Sequence, residues 1–292
     1  MMRYAILLLL LTGMGLGAQT SSKPSAVFAS NLPKTFPELV AALPSLANKM
    51  QSDKSSTLFA AYTDAIDKAL KKDPSSASAA IPALAKNLQN SDPEVQGITT
   101  ATLQEFSLLP NYVDLIQQLL PQLLDIISSH NEPAQKCALM DIGPLSIRAP
   151  DSAVTVVKAV MLDPQRPEDI TAGAAEILLW LRPGDESVQL DILSVMHDPS
   201  RPAQLRQEMM GAMGKYPMNP LLVEEVVKTA NTSSDIGLRD AAISSASMMG
   251  KAVLARISHR LDQIVSDPSE SATSHQIAKD AQCHLYGCVE TY

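Results

Sequence analysis

Two stretches 35 residues apart are nearly the same. Val160-Met161-Leu162-Asp163-Pro164-Gln165-Arg166-Pro167 returns as Val195-Met196-His197-Asp198-Pro199-Ser200-Arg201-Pro202. A fixed period of about 20–50 residues is the mark of stacked supersecondary units, each too small to bury its own apolar face. The period continues in both directions. Ser266-Asp267-Pro268-Ser269 lies 69 residues after Asp198, and Ser91-Asp92-Pro93-Glu94 lies 71 before Asp163. Degenerate turns stand between them, at Ser129-His130-Asn131-Glu132-Pro133 and Asn231-Thr232-Ser233-Ser234-Asp235.

Each turn precedes apolar residues in steps of four: Val95, Thr99 and Leu103; Ala134, Ala138 and Ile142; Ile170, Ala174 and Leu178. Leu205, Met209 and Met213, then Leu238, Ala242 and Ala246, follow the same rule. That spacing keeps the side chains on one helix face. Asp-Pro suits a helix start, because Asp accepts orphan N–H groups and Pro fits the first helical position. No run alternates as a strand does, and no Asn-Gly or Asp-Gly hairpin turn occurs.

The pattern predicts seven helix pairs: 37–50 with 56–72, 77–89 with 93–107, 111–128 with 132–148, 151–161 with 167–181, 186–196 with 202–215, 220–230 with 236–249, and 251–265 with 271–286. Pro44, Pro121 and Pro144 fall inside these patterns and are expected to kink or split their helices. Asp73-Pro74 is out of phase with Asp92-Pro93, so residues 36–90 read as an irregular helical cap on a repeat array over 91–292.

The N-terminus reads as a secretory signal. Met1-Met2-Arg3 is the charged start, Tyr4 to Leu11 the apolar run, and Gly13 to Ala18 a small-residue exit, with cleavage after Gly17 or Ala18. The run is short of the roughly 20 apolar residues of a spanning helix, so no stable membrane anchor is expected after cleavage. Export to the periplasm or the extracellular medium follows. Residues 19–35 are polar and proline-containing, and read as a flexible arm. Loss of 1–18 removes Arg3 and no acid, taking the net charge from -8 to -9. An acidic chain without a basic stripe is a poor ligand for nucleic acid.

The second helices carry a resemblance. The Asp-Pro turns, the Leu205-Arg206 and Leu238-Arg239 dipeptides, and the endings Gly211-Ala212-Met213-Gly214 and Met248-Met249-Gly250 resemble HEAT-like repeats of an exported bacterial type over about residues 77–287. The resemblance implies an all-α fold, a right-handed α-solenoid of about seven antiparallel helix pairs. It also implies a scaffold or adaptor that binds protein partners. One branch of such proteins acts on bilin chromophores, but no lyase-specific motif is present. Val95-Gln96 and Ile170-Thr171 stand where Val-Arg is usual, so weak arginine–aspartate ladders are expected.

In such a solenoid the polar positions of the second helices line the concave face. Gln96, Lys136, Asp169, Arg206, Gln207, Arg239, Asp240, His275 and Lys279 are the candidates for a partner-binding face. They mix signs and name no ligand charge. Catalytic motifs are missing: there is no Gly-x-Ser-x-Gly elbow, no His-Glu-x-x-His helix and no phosphate-cradling glycine loop. No catalytic residue, cofactor or metal ligand is therefore assigned, and the chain is not expected to be an enzyme. The alternative is an envelope metal-binding protein. It would use His275, Cys283, His284 and Cys288, or the methionines Met196, Met209, Met210, Met213, Met218, Met248 and Met249. In an oxidising compartment Cys283 and Cys288 could instead form a disulfide, with Cys137 a small buried residue or an intermolecular partner. Trp180 reads as an inter-repeat packing anchor.

Overall fold

A computed structural model describes residues 26–52 and 57–287. The described residues form helices and turns, with no strand among them. The expected signal segment 1–18, the first part of the expected arm and Cys288 lie outside the described residues. The chain divides into two compact units, Met1–Leu145 and Ser146–Tyr292.

In the first unit the helices are α1 (Ala26–Asn31), α2 (Phe36–Ser52), α3 (Thr57–Lys72), α4 (Ser76–Ala79), α5 (Ile81–Leu88), α6 (Pro93–Leu103), α7 (Tyr112–Ser128) and α8 (Glu132–Ile142). A 3-10 turn, Gln104–Leu108, follows α6. Each helix buries the stripe its spacing dictates. In α2 these residues are Phe36, Leu39, Val40, Leu43, Ala47 and Met50. Helices α5 and α6 pack as one pair, α7 and α8 as the next, with α6 on α8 and α5 on α7.

Two expectations for this unit need correction. The arm is helical from Ala26, because α1 packs on α3 and Leu32 is buried. Nor does 36–90 stand apart as a cap. Helix α2 packs on both α5 and α6, and Phe36 meets Phe106 edge to face at 5.0 Å. The division of the chain falls at 145/146 instead of near 90.

Pro44 does not split α2. A proline inside a helix leaves the carbonyl four residues earlier without its partner. Here that carbonyl is Val40 O, and buried Asn87 Nδ2 donates to it at 2.8 Å. Pro121 likewise lies within an unbroken α7. The third of these prolines, Pro144, falls in a 3-10 turn, Gly143–Arg148, where the expected break occurs.

The second unit holds α9 (Asp151–Leu162), α10 (Glu168–Leu181), α11 (Glu186–His197), α12 (Ala203–Met213), α13 (Pro220–Thr232), α14 (Ile236–Met249), α15 (Lys251–Ala255), α16 (Ser258–Ser266) and α17 (Ala272–Tyr286). First helices α9, α11 and α13 stack on one another, and second helices α10, α12, α14 and α17 do the same. Both units are thus all-α stacks of helix pairs, the solenoid arrangement.

The repeated Asp-Pro turns differ from expectation in an instructive way. Asp92 does cap α6, accepting Glu94 N–H at 2.9 Å with Pro93 behind it. Asp163, Asp198 and Asp267 instead close the preceding helix, and each carboxylate accepts the N–H two residues on at 2.9 Å. Such an Asx-turn lets Pro sit at the next position of a tight turn. The helices that follow begin after Pro167, Pro202 and Ser271.

Candidate functional site

The second helices of the second unit carry most of the expected partner face, and polar contacts at the repeat spacing run through them. Arg201 Nη1 donates to Asp163 O at 3.2 Å and Nη2 to Leu162 O at 2.8 Å, tying one Asp-Pro turn to the one before it. Ser245 Oγ donates to Met210 O at 2.6 Å. Arg239 forks onto Glu270, Nη1 to Oε1 at 2.5 Å and Nη2 to Oε2 at 2.8 Å, while its Nε and Nη2 reach Asp240 Oδ1 at 3.1 and 3.0 Å. Asp240 Oδ2 accepts Ser274 Oγ at 2.6 Å. The arginine–acid ladder expected to be weak is strong at this rung.

Arg239 and Asp240 are therefore corrected: both are buried and offer no face to a partner. The guanidinium raises no charge to solvent because Asp240 and Glu270 neutralise it, and Arg239 in turn holds the Glu270 carboxyl below its ordinary range. Arg206 is half-buried, with Nη2 3.9 Å from Asp235 Oδ2. Gln207 lies flat on Gly237, where an added Cβ would stand 2.3 Å from its Nε2. His275 Nε2 bonds to Asp267 O at 2.8 Å. Asp169 and Lys279 are exposed. In the first unit, Gln96 donates to Asn90 O at 2.9 Å and accepts Asn131 Nδ2 at 3.0 Å, so it too serves the stack. Lys136 is half-buried beside Cys137. Most of the nine candidates thus hold repeats together. Arg201 does the same work, and the recurring Arg-Pro is the sequence signal for it.

Of the expected metal ligands, Cys288 lies outside the described residues. Cys283 is disulfide-bonded and Cys137 is free. Met196, Met209, Met210 and Met213 are buried in the core, where thioethers fill gaps. Among the described residues no three His, Cys, Asp or Glu side chains group as a metal site.

The second unit also exposes several large apolar side chains. Five of these form a series, Ile147 76% exposed, Trp180 43%, Met218 84%, Met248 52% and Tyr286 66%, while Leu162, Leu190 and Ile236 are exposed elsewhere on the unit. Trp180 is thus not the packing anchor expected of it. The five residues lie 33, 38, 30 and 38 positions apart, about one per repeat. Each stands at or just beyond the C-terminal end of a second helix, or in the turn that leads into α9. Their surroundings are linked. Ser146 Oγ donates to Trp180 O at 3.3 Å, and Tyr216 OH to Glu176 O, one turn before Trp180, also at 3.3 Å. Lys215 Nζ meets Glu176 Oε1 at 2.8 Å, and Gly184 N–H meets Asn219 Oδ1 at 2.8 Å, so the loop carrying Met218 is pinned on both sides of Trp180. Met248 lies over Gly214. Beside it an open cleft of roughly 210 Å³ is lined by Ser244, Ser247, Ile277, Asp280 and His284. Basic residues on this rim, Arg182 and Lys215 among them, suit the carbonyl ends of helices.

No protein-family model matches this chain, and no curated protein does. Among solved structures it is similar to human deoxyhypusine hydroxylase in complex with glycerol, at 16% identity and a TM-score of 0.35, over 85% of this chain and 96% of that one. At that score the likeness carries no argument.

Proposed function

We propose that the protein is an exported helical-repeat adaptor that binds a protein partner through the apolar rim of its second unit. One observation carries the reading: large apolar side chains are left in solvent about once per repeat along one edge. Exposed apolar side chains scattered singly need no explanation, but a row of them at the repeat spacing offers one anchor per repeat to a partner laid along the array. The export part rests on residues 1–18, and the destination is periplasm or medium. The action proposed is binding and not catalysis, since the most convergent polar groups of this unit, around Arg239, are engaged with one another.

The test uses the mature protein as bait in cell-envelope and secreted fractions, beside a Trp180→Glu/Met218→Glu double variant. Met218 is 84% exposed and Trp180 43%, so the variant should keep its helical content with at most a small drop in Tm. A partner retained by the parent and lost by the folded variant is the expected result. Equal retention by both, or no retained partner, would remove the rim as the binding surface.

A further inference from the structure

The first unit holds a carboxyl group that no ladder or rim uses. Asp141 lies in the last turn of α8 and is fully buried. Its Oδ1 accepts from Gln104 Nε2, in the 3-10 turn after α6, and at 3.4 Å from Tyr112 OH, at the start of α7. Its Oδ2 has no hydrogen-bond partner. Cys137, one helical turn earlier, is buried and bonded to Thr100 of α6. One carboxyl thus joins the end of α6, the start of α7 and the end of α8.

The surrounding charges decide its ionisation. The one acid of α6, Glu94, lies at that helix's far end, and Glu105 is in the 3-10 turn. From α7 come Tyr112, which faces Asp141, then Asp114 and Asp125 farther along; α8 adds Glu132, Lys136 and Cys137. The Lys136 charge acts on Cys137, whose thiol burial pushes up to about 12. Asp141's own partners are the neutral Gln104 and Tyr112. A carboxylate here would be stripped of water, would face no cation and would sit at the carbonyl end of a helix, where negative charge is disfavoured. Under those conditions a buried acid stays protonated. Burial raises the Asp141 carboxyl well above its ordinary range, and the hydrogen bonds from Gln104 and Tyr112 offset only part of the shift.

We propose that Asp141 is a pH-operated latch of the first unit: as the buried neutral acid it closes the seam between α6, α7 and α8, and its ionisation opens that seam and uncovers Cys137. The proton leaves to solvent, and the carboxylate must then find water for both oxygens. Since the folded pKa lies above the unfolded one, the latch contributes in full below the ordinary carboxylate pKa. Its contribution is lost as pH rises through the folded value. Across that window the folded-to-open ratio falls about tenfold per pH unit. The seam adjoins the turn Gly143–Arg148, where Ser146 takes φ +48°, the one positive φ outside glycine among the described residues. Opening begins at this strained backbone, next to the charge that appears.

The full chain and Asp141→Asn are compared at pH 5 and pH 8. Asparagine keeps the acceptor for Gln104 and Tyr112 and cannot ionise. Glu94, whose carboxyl is also raised by burial and then by Asp92, titrates in both proteins and cancels. The readouts are labelling of Cys137 by an uncharged thiol reagent and amide exchange over residues 100–148. The expected result is near-equal labelling at pH 5 and labelling of the parent at least about tenfold faster at pH 8, with exchange changing in step. Equal labelling of the two proteins at both pH values overturns the proposal. Should Asp141→Asn fail to fold, infrared spectra of Glu94→Gln, which removes the other raised carboxyl of this unit, decide: a protonated carboxyl band persisting at pH 6 supports the latch, and its absence there overturns it.

Discussion

Arg239 places its guanidinium between Glu270 and Asp240, at 2.5 to 3.1 Å from their oxygens, with 4% of its side chain exposed. A forked contact of this kind is stronger than a single neutral hydrogen bond. Removing one member of a buried set is costly mainly because it strands the others. Arg239→Ala leaves buried Asp240 and half-buried Glu270 without their cation and should cost about 3 kcal/mol, the low end for a buried pair, read by chemical denaturation. Arg239→Lys keeps the charge but not the fork, and should fall between. A loss under about 1 kcal/mol for the alanine variant would mean that water reaches both acids. The sequence marked Arg239 through its Leu-Arg dipeptide but gave it to the wrong role. Its partner Glu270 is 31 residues on, in a turn that departs from the repeated pattern, so nothing in the spacing announced the pair.

Helix glycines separate what packing demands from what it permits. A Cβ on Gly173, inside α10, would meet nothing within 4 Å. Gly173→Ala should therefore stabilise the second unit by about 0.5–1 kcal/mol, through the smaller entropy of the unfolded chain. Gly214, at the end of α12, is the opposite case. Its Cβ would stand 2.7 Å from Ser245 Cα and 3.0 Å from Ser245 O, and the backbone of α14 has no rotamer to swing away. Gly214→Ala should destabilise by about 1–3 kcal/mol, seen as a lower Tm. Equal Tm values for the two variants would mean that α12 and α14 pack more loosely than these distances. At this scale much was legible. The seven predicted pairs fall on observed helices, because apolar spacing fixes which face each buries, although 77–89 is broken into α4 and α5, 251–265 into α15 and α16, and α1 was not foreseen. The turns were less so, since Asp-Pro serves a helix start and an Asx-turn equally well. Only the tertiary context put Asp92 in the first role and Asp163, Asp198 and Asp267 in the second.

Across the molecule, the apolar rim shows why the surface was harder to read than the core. Trp180 follows Ile177, Leu178 and Leu179 and has the spacing of a core residue; whether a neighbouring repeat covers it depends on where that repeat's helix stops. The acids with shifted carboxyls were equally silent, and they give the two units opposite responses to pH. In the first unit the raised Asp141 carboxyl makes stability greatest in acid and falling upward from the ordinary carboxylate pKa. In the second unit Arg239 holds Glu270 down, so that stability is present above the ordinary carboxylate pKa and is lost as pH falls through the folded value. Asp198 and Asp267, held down first by the Ser200 and Ser269 hydroxyls, shift the same way as Glu270. The two windows meet near pH 4. Amide exchange on the full chain, followed separately over residues 57–145 and 146–287, should show the first unit losing protection between pH 5 and 8 while the second holds. Between about pH 4 and 3 the second should weaken while the first holds. Protection that fell together in both units at both ends of the range would mean that the titrating groups act on one shared opening, and that Asp141 and Glu270 are not separate controls.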